Sequence, residues 1–210
     1  MTERPAIAIE DFVALWRLSD FADRHLLPWE ATSRAAELVH RALGRLGEGY
    51  RIDGDKAIHT SATVEPGAVV KGPVILGPNS YVAAGAYLRG GVFLDADCIV
   101  GPVCEVKTTF MFRGSKVAHL SFVGDSIVGC GVNIEAGAVV ANYRNEMDDK
   151  RIRILWQGAV IDTGVEKFGA LIGDDARIGA NAVVAPGALL SPGFRLARLG
   201  MLDQHPNGLR

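Results

Sequence analysis

Cysteine, histidine and aromatic residues are all scarce in this sequence. Three cysteines occur in 210 residues, an odd number with no CxxC pair. That excludes a disulfide framework and suits a reducing compartment. Of five histidines, only His59 and His119 lie within the repetitive part of the chain. A zinc centre of three histidines, as a γ-class carbonic anhydrase needs, is therefore disfavoured. The net charge of −2 provides no basic excess for nucleic acid. No apolar run approaches the roughly 18 residues of a membrane-spanning helix. The start, Met1-Thr2-Glu3-Arg4-Pro5, has charges where a signal peptide has an apolar core. The expected setting is cytoplasmic, with neither nucleic acid nor membrane as partner. Residues 1–50 hold no glycine-rich nucleotide loop and are too few for a dinucleotide-binding domain.

What is abundant is a period of six. Ile58, Val64, Val70, Leu76, Val82, Leu88, Leu94, Val100, Val106 and Phe112 are successive sixth residues. Four positions after each stands a mostly small side chain: Ala62, Ala68, Val74, Ser80, Ala86, Val92, Cys98, Cys104. Neither a helix nor a simple strand has this period, whereas a parallel β-helix does. One aliphatic per side points into a narrow lumen, the small residue sits by the bend, and three sides close a coil of 18 residues. Cys98 and Cys104 are then packing residues. The phase slips after Ala118 and resumes at Val128, Ile134 and Val140, then at Ile172, Ile178, Val184 and Leu190. The pattern predicts about six coils. It resembles the hexapeptide-repeat family, an all-β, left-handed parallel β-helix. The hand is implied by that resemblance alone, because parallel crossovers are right-handed elsewhere.

The rest of the chain divides around this body. Residues 1–50 form a short α-helical segment. Phe12, Leu15, Trp16, Ser19, Ala22 and Leu26 predict a helix of about four turns, and Pro28 starts a second. Ala31, Ala35, Leu38, Val39, Ala42 and Leu46 give that second helix an apolar stripe. A repeat array exposes strand edges at its ends, so this segment is expected to be a terminal cap. The β-helix occupies residues 51–192, with a charged, non-repeating excursion at 142–168. An excursion of that length is usually functional, and residues 151–156 alternate as one arm of a hairpin. Residues 193–210 read as a polar tail.

Residues 18 apart stack one strand spacing away, about 4.8 Å. Lys71, Arg89 and Lys107 stack in this way. Three adjacent cations repel unless something anionic lies against them, which points to phosphate as well as to a solvated stripe. His119 lies beside the phase slip, and Glu105 is an acid that could orient it as a base.

A more specific likeness lies in the run 101–125, in Val132-Asn133-Ile134-Glu135-Ala136-Gly137, in Ala141-Asn142-Tyr143 and in Leu88-Arg89-Gly90-Gly91. Together these resemble the acetyltransferase domain of the bifunctional N-acetylglucosamine-1-phosphate uridyltransferases. Lys167-Phe168-Gly169-Ala170-Leu171-Ile172-Gly173-Asp174-Asp175 resembles it too. The excursion, with Asp162-Thr163-Gly164, is closer to the archaeal-type sugar-1-phosphate nucleotidyltransferases. The resemblance covers about residues 57–190. It implies His119 as general base, with Glu105 holding it. Arg89 and Lys107 fall on sugar-phosphate cations, Asn133 on a sugar-binding Asn and Lys167 on a substrate-loop Lys. Asn142 falls near the acetyl group. Phe122 replaces a sugar-contacting Tyr, and Ala180 stands in place of a Ser near the thioester. The coils that would close the coenzyme site after Leu190 are expected to be short or absent.

The resemblance thus implies N-acetyl transfer from acetyl-CoA, as co-substrate, to an amino-sugar phosphate such as glucosamine 1-phosphate. It implies a homotrimer, and the step needs no metal. The alternative is a non-catalytic hexapeptide-repeat subunit that binds a sugar nucleotide or a separate nucleotidyltransferase.

Overall fold

The computed structural model describes residues 7–207. The charged start, residues 1–5, lies outside them, as do residues 208–210 of the expected tail.

The six-residue period builds a parallel β-helix with three columns of stacked strands. One column is a seven-stranded sheet from Thr63–Val64 to Arg195–Leu196. Call this the second column. The first begins at Lys56–His59 and ends at Ala188–Leu190; the third begins at Val69–Val70 and ends at Met201–Leu202. Seven rungs stack, one more than the six expected. The coil continues past Leu190, because Arg195 pairs with Arg177 and Met201 with Val183. The segment beginning at residue 193 is therefore a further rung, not a polar tail. Leu196 and Leu202 pack on the lumen as the hexad requires.

Each side of a rung sends one aliphatic inward and its preceding residue outward, because strand side chains alternate. Leu76, Val82, Leu88, Leu94, Val100 and Val106 are fully buried in the lumen. The next lumen residue is Met111, five positions on, not Phe112. A second five-residue step separates Val123 from Val128. The coils that contain these steps have 17 residues, as the pairings of Phe93 with Phe110 and Phe110 with Ile127 record. The first slip thus falls after Val106, earlier than the Ala118 expected from the pattern. In the short coils the small position carries hydroxyls. Thr109, Ser115 and Ser126 are fully buried. Thr109 Oγ1 donates to the Lys107 carbonyl at 2.7 Å, and Ser126 Oγ to the Gly124 carbonyl at 2.7 Å. Buried hydroxyls are tolerated when they are paired in this way.

The outward face of the first column is also apolar. Ala57, Ile75, Phe93, Phe110, Ile127, Leu171 and Leu189 form one ladder. Water does not cover it; the N-terminal segment does. Trp16 packs edge-on to Phe110 with centroids 5.8 Å apart, and Phe21 lies 4.8 Å from Phe110 and 4.9 Å from Phe93. Phe112, displaced from the lumen, joins this second core. The segment is thus not a cap on the end of the helix, as its composition suggested, but a cover along one flank.

Within it the expected four-turn helix is replaced by two short 3₁₀ turns, Ile9–Asp11 and Trp16–Leu18. The Ser19 hydroxyl donates to the Trp16 carbonyl at 2.7 Å and accepts from Phe21 N–H. Asp23 accepts from His25 N–H. Such local side-chain bonds compete with helical ones. The second expected helix forms as two, α1 (Pro28–Ser33) and α2 (Ala35–Leu43), broken at Arg34. Pro28 opens α1, and Glu30 accepts from the Leu27 N–H at 3.0 Å. Ala35, Leu38, Val39 and Ala42 are buried as the stripe predicts.

The excursion folds as an antiparallel hairpin, Arg153–Trp156 with Ala159–Asp162. Its turn residues Gln157 and Gly158 both have positive φ, as two-residue hairpins favour. Ile152 and Ile154 anchor it to the second core. Among the described residues no helix is long and apolar enough to cross a membrane.

The flank packing carries a stability test. Phe110→Ala should cost about 3–5 kcal/mol of unfolding free energy, as large-to-small changes in a core do. The readout is the denaturant midpoint. A shift worth less than about 1 kcal/mol would mean that the N-terminal segment does not depend on this face.

Candidate functional site

Every irregularity of the repeat falls at the corner between the third and first columns. Two strands, Tyr87–Leu94 and Glu105–Met111, run continuously around it. The register shifts between Arg89 and Val92, so that Gly90 and Gly91 oppose Thr108 alone. This is a β-bulge, a device that re-aims side chains and is common beside active sites. Both five-residue lumen steps pass this corner, and the excursion leaves from it one rung further on. Thr108 and Asp125, the corner residues of the short steps, have φ of 51° and 46°. Non-glycine residues adopt that region at a cost, and they do so at ordinary corners of this helix as well, as at Asn79, Asp97 and Val103.

These departures open a groove of about 520 Å³ lined by Arg89, Lys107, Phe122, Asn142, Glu166 and Lys167. Five of these are residues that the sequence singled out. Arg89 and Lys107 stack in register as expected. Lys71 continues the stripe, its N–H bonded to the Leu88 carbonyl. The stripe is not the set of unpaired cations it resembled. Lys71 Nζ donates to Tyr87 OH at 2.8 Å. Arg89 Nε donates to Glu105 Oε1 at 2.7 Å. Lys107 Nζ donates to Asp125 Oδ2 at 2.6 Å. Arg89 and Lys107 thus each have an anionic partner within the protein, which relieves the repulsion without any bound anion, while Lys71 has a neutral hydroxyl. Beyond Lys107 the same register holds Gly124, and the stripe ends.

Lys107 and Asp125 are the most enclosed of these pairs, with side chains 15% and 7% exposed. Lys107 also donates to Thr108 Oγ1 at 3.2 Å, and Asn142 Nδ2 bonds the same Asp125 oxygen. Ion pairs this enclosed persist only when such additional hydrogen bonds complete them. Asp125 is the groove residue that sequence reasoning passed over: the shortened coil puts Gly124 in register with Lys107, and Asp125 reaches the ammonium from the corner. Arg89 is more open, and its two terminal nitrogens make no hydrogen bond among the described residues. Glu166 and Lys167 stand on the opposite wall, where the excursion returns. Phe168 N–H donates to the Asn142 carbonyl at 3.1 Å and closes the excursion at its base.

The other expected residues lie elsewhere. His119 is exposed at the next corner, between the second and third columns, and its carbonyl accepts from Gly137 N–H at 2.8 Å. Its imidazole has no hydrogen-bond partner among the described residues. Glu105, expected to hold His119, bonds Arg89 instead. Ala180 shares His119's corner, where its N–H donates to Glu135, itself clamped by Arg198 at 2.8 Å. Asn133 lies on the second column between Lys116 and Arg177. One chain therefore groups Arg89, Lys107, Phe122, Asn142 and Lys167 at one edge of the prism. His119 and Ala180 lie at another edge, with Asn133 on the face beyond.

The pair at the groove floor is open to a direct check. Asp125→Ala should destabilise by about 3–5 kcal/mol, because it leaves a buried ammonium unpaired. Adding Lys107→Met should recover part of that loss. Strictly additive losses in a double-mutant cycle would mean that the two groups do not interact.

No protein-family model matches the chain. Curated relatives do. A bifunctional sugar-1-phosphate nucleotidylyltransferase/acetyltransferase from Sulfurisphaera tokodaii is 34% identical over 154 residues, which is 73% of this chain and 38% of that protein. The bifunctional protein GlmU of Carboxydothermus hydrogenoformans is 35% identical over 70% of this chain and 31% of its own length. That of Sorangium cellulosum is 34% identical over 77% and 32%. The chain thus spans about a third of the length of these relatives. Over that shared part, it is a homologue of the bifunctional sugar-1-phosphate nucleotidylyltransferase/acetyltransferase and GlmU proteins.

Proposed function

We propose that this chain transfers an acetyl group from acetyl-CoA to the amine of an amino-sugar phosphate, with glucosamine 1-phosphate as the expected acceptor. The reading is supported by relatives named as sugar-1-phosphate transferases and acetyltransferases. The observation that carries it is the groove at the bulged corner. Arg89 offers two free nitrogens there in a planar fork, and Lys167 stands opposite as a point charge, a combination suited to phosphate. Lys107, held by Asp125 and Thr108, supplies a fixed positive edge. The Glu166 carboxylate lines the same groove and Asp125 lines its continuation, and both suit the ammonium of an amino sugar. The groove therefore fits a ligand that carries both charges.

In the reaction His119 accepts a proton from the ammonium, and the freed amine attacks the thioester carbonyl. A C–N bond forms, the C–S bond breaks, and the departing thiolate takes a proton to leave as coenzyme A. General-base assistance of this kind contributes roughly 10²–10⁴-fold. His119 and the groove occupy different edges of one chain, so one site requires two copies. A homotrimer fits this need. The third-column face between those edges exposes Val69, Val183 and Met201 beside Tyr87 and Phe122. Packing these faces together would bury that apolar strip and bring the His119 edge of one copy to the groove of its partner. A separate nucleotidyltransferase is the partner suggested by the bifunctional relatives.

Thiol release from acetyl-CoA with a panel of amino sugars and their phosphates tests the reaction. His119→Ala should lower kcat roughly 10²–10⁴-fold with little change in substrate binding. Arg89→Ala should weaken binding of the phosphorylated amino sugar by about 1.5–3 kcal/mol and leave the unphosphorylated sugar nearly unaffected. Turnover at the wild-type rate in His119→Ala would remove the base. A protein that binds sugar nucleotides and releases no thiol would be the non-catalytic subunit instead. Sedimentation at micromolar concentration reads the assembly directly, and a monomer would leave His119 without a groove.

A further inference from the structure

The groove does not end at Lys167. Beyond it lies a second basin of about 500 Å³, which shares Glu166 and Lys167 with the first. Its far wall is Ser33 and Ala36, at the junction of α1 and α2, and its floor is Gly90 and Thr108. Neither wall belongs to the repeat. One is the flank-covering segment and the other is the return of the excursion, so the two non-repeating parts of the chain meet here, as they also do at Trp29 against Phe168.

The floor is bare because it has to be. Gly90 has φ of 77°, and a Cβ there would lie 2.7 Å from Thr108 Oγ1. Gly91 has φ of 92°, and its Cβ would lie 2.4 Å from the Ala36 nitrogen. α2 therefore rests directly on the backbone of the bulge, and the glycine pair leaves room where side chains would otherwise fill it.

The chemistry of the two basins differs. The first has the free fork of Arg89. The second is lined by hydroxyls on Ser33 and Thr108, by the carboxylate of Glu166 and by that of Asp125, which is already paired with Lys107, and Lys167 is the cation that lines it, at the shared wall. Glu166 is exposed and has no hydrogen-bond partner among the described residues. Ionised carboxylates only accept hydrogen bonds, so this basin suits a group rich in hydroxyl donors and does not suit a further unpaired anion.

We propose that the acceptor is larger than a sugar phosphate. Esterified to its phosphate it carries a second, uncharged, hydroxyl-bearing group, a nucleoside or another sugar, which occupies this basin. The phosphate linkage then lies at Lys167, between the basins. The inference rests on the acetyl-transfer reading and narrows its acceptor.

Four acceptors test it: the amino-sugar 1-phosphate, its methyl phosphodiester, its phosphodiester to a nucleoside and its phosphodiester to a second sugar. At least one of the two hydroxyl-bearing conjugates should exceed the monophosphate and the methyl diester in kcat/KM by about tenfold or more, a difference of about 1.4 kcal/mol. Which conjugate leads identifies the group. Ser33→Trp and Ala36→Trp, both at exposed positions, should erase most of that margin through KM. A monophosphate that equals or exceeds both conjugates would overturn the proposal, as would a margin that survives both tryptophan variants. If no acceptor is acetylated, the acetyl-transfer reading fails. Calorimetric titration of the same four ligands then still decides this proposal, since tighter binding of a conjugate that Ser33→Trp abolishes upholds it and equal binding of all four overturns it.

Discussion

The narrow lumen is the constraint on which the rest depends. Each side of each coil must place one aliphatic side chain inside, at the height set by strands hydrogen-bonded above and below. A residue gained or lost within a side would turn its inward set outward. Additions and deletions are therefore confined to corners, where the chain already leaves the ladder. In this protein they collect at one corner. Two coils each lack a residue there, the adjoining rung carries the bulge of Gly90 and Gly91, and the long excursion departs from the same edge. The groove is what those departures leave open.

A second constraint follows from the first column. Its outward ladder, from Ala57 through Phe110 to Leu189, is as apolar as a lumen. Strands buried on both faces need a layer on each side. The N-terminal segment and the anchor of the hairpin supply the outer one. This explains why the segment follows the flank and why Trp16, Phe21 and Trp29 are spent there. It also places α2 on the bulge, so that the cover and the site share one boundary. Stability and site geometry are linked through Gly91 more directly than through any side chain of the groove.

The electrostatics of the groove are those of exchange, not of a vacant positive pocket. Arg89 with Glu105 and Lys107 with Asp125 are already paired, and Glu166 immediately precedes Lys167 along the chain. Enclosed charges must be paired to be tolerated at all. A ligand with one sign of charge would have to break such pairs, whereas one with both signs can extend them. The left-handed Thr108 and Asp125 hold this arrangement at a conformational cost that the surrounding ladder bears.

The sequence alone determined the architecture, because a six-residue aliphatic period has few structural solutions. It also marked most of the groove, since residues 18 apart stack in a regular coil: Arg89 over Lys107 was legible without coordinates, whereas Asp125 was not, because the next coil has 17 residues and stacks Gly124 there. The hairpin at 151–156 and the buried stripe of α2 followed from alternation and helical spacing. Tertiary structure decided what depends on neighbours distant in sequence. Met111 replaced Phe112 in the lumen because the step from Val106 lacks one residue, and two adjacent aromatic or sulfur-bearing residues do not by themselves say which faces inward. Hydroxyls at Thr109, Ser115 and Ser126 broke the apolar signal after residue 106, and only their carbonyl partners show that the coil continues. The Arg195 and Met201 rung was hidden by Pro192 and Gly193, which read as an end but form a corner. Glu105 was assigned to His119 by resemblance. The fold gave it to Arg89, because residues 16 apart meet across one rung of the third face whereas His119 lies around the next corner.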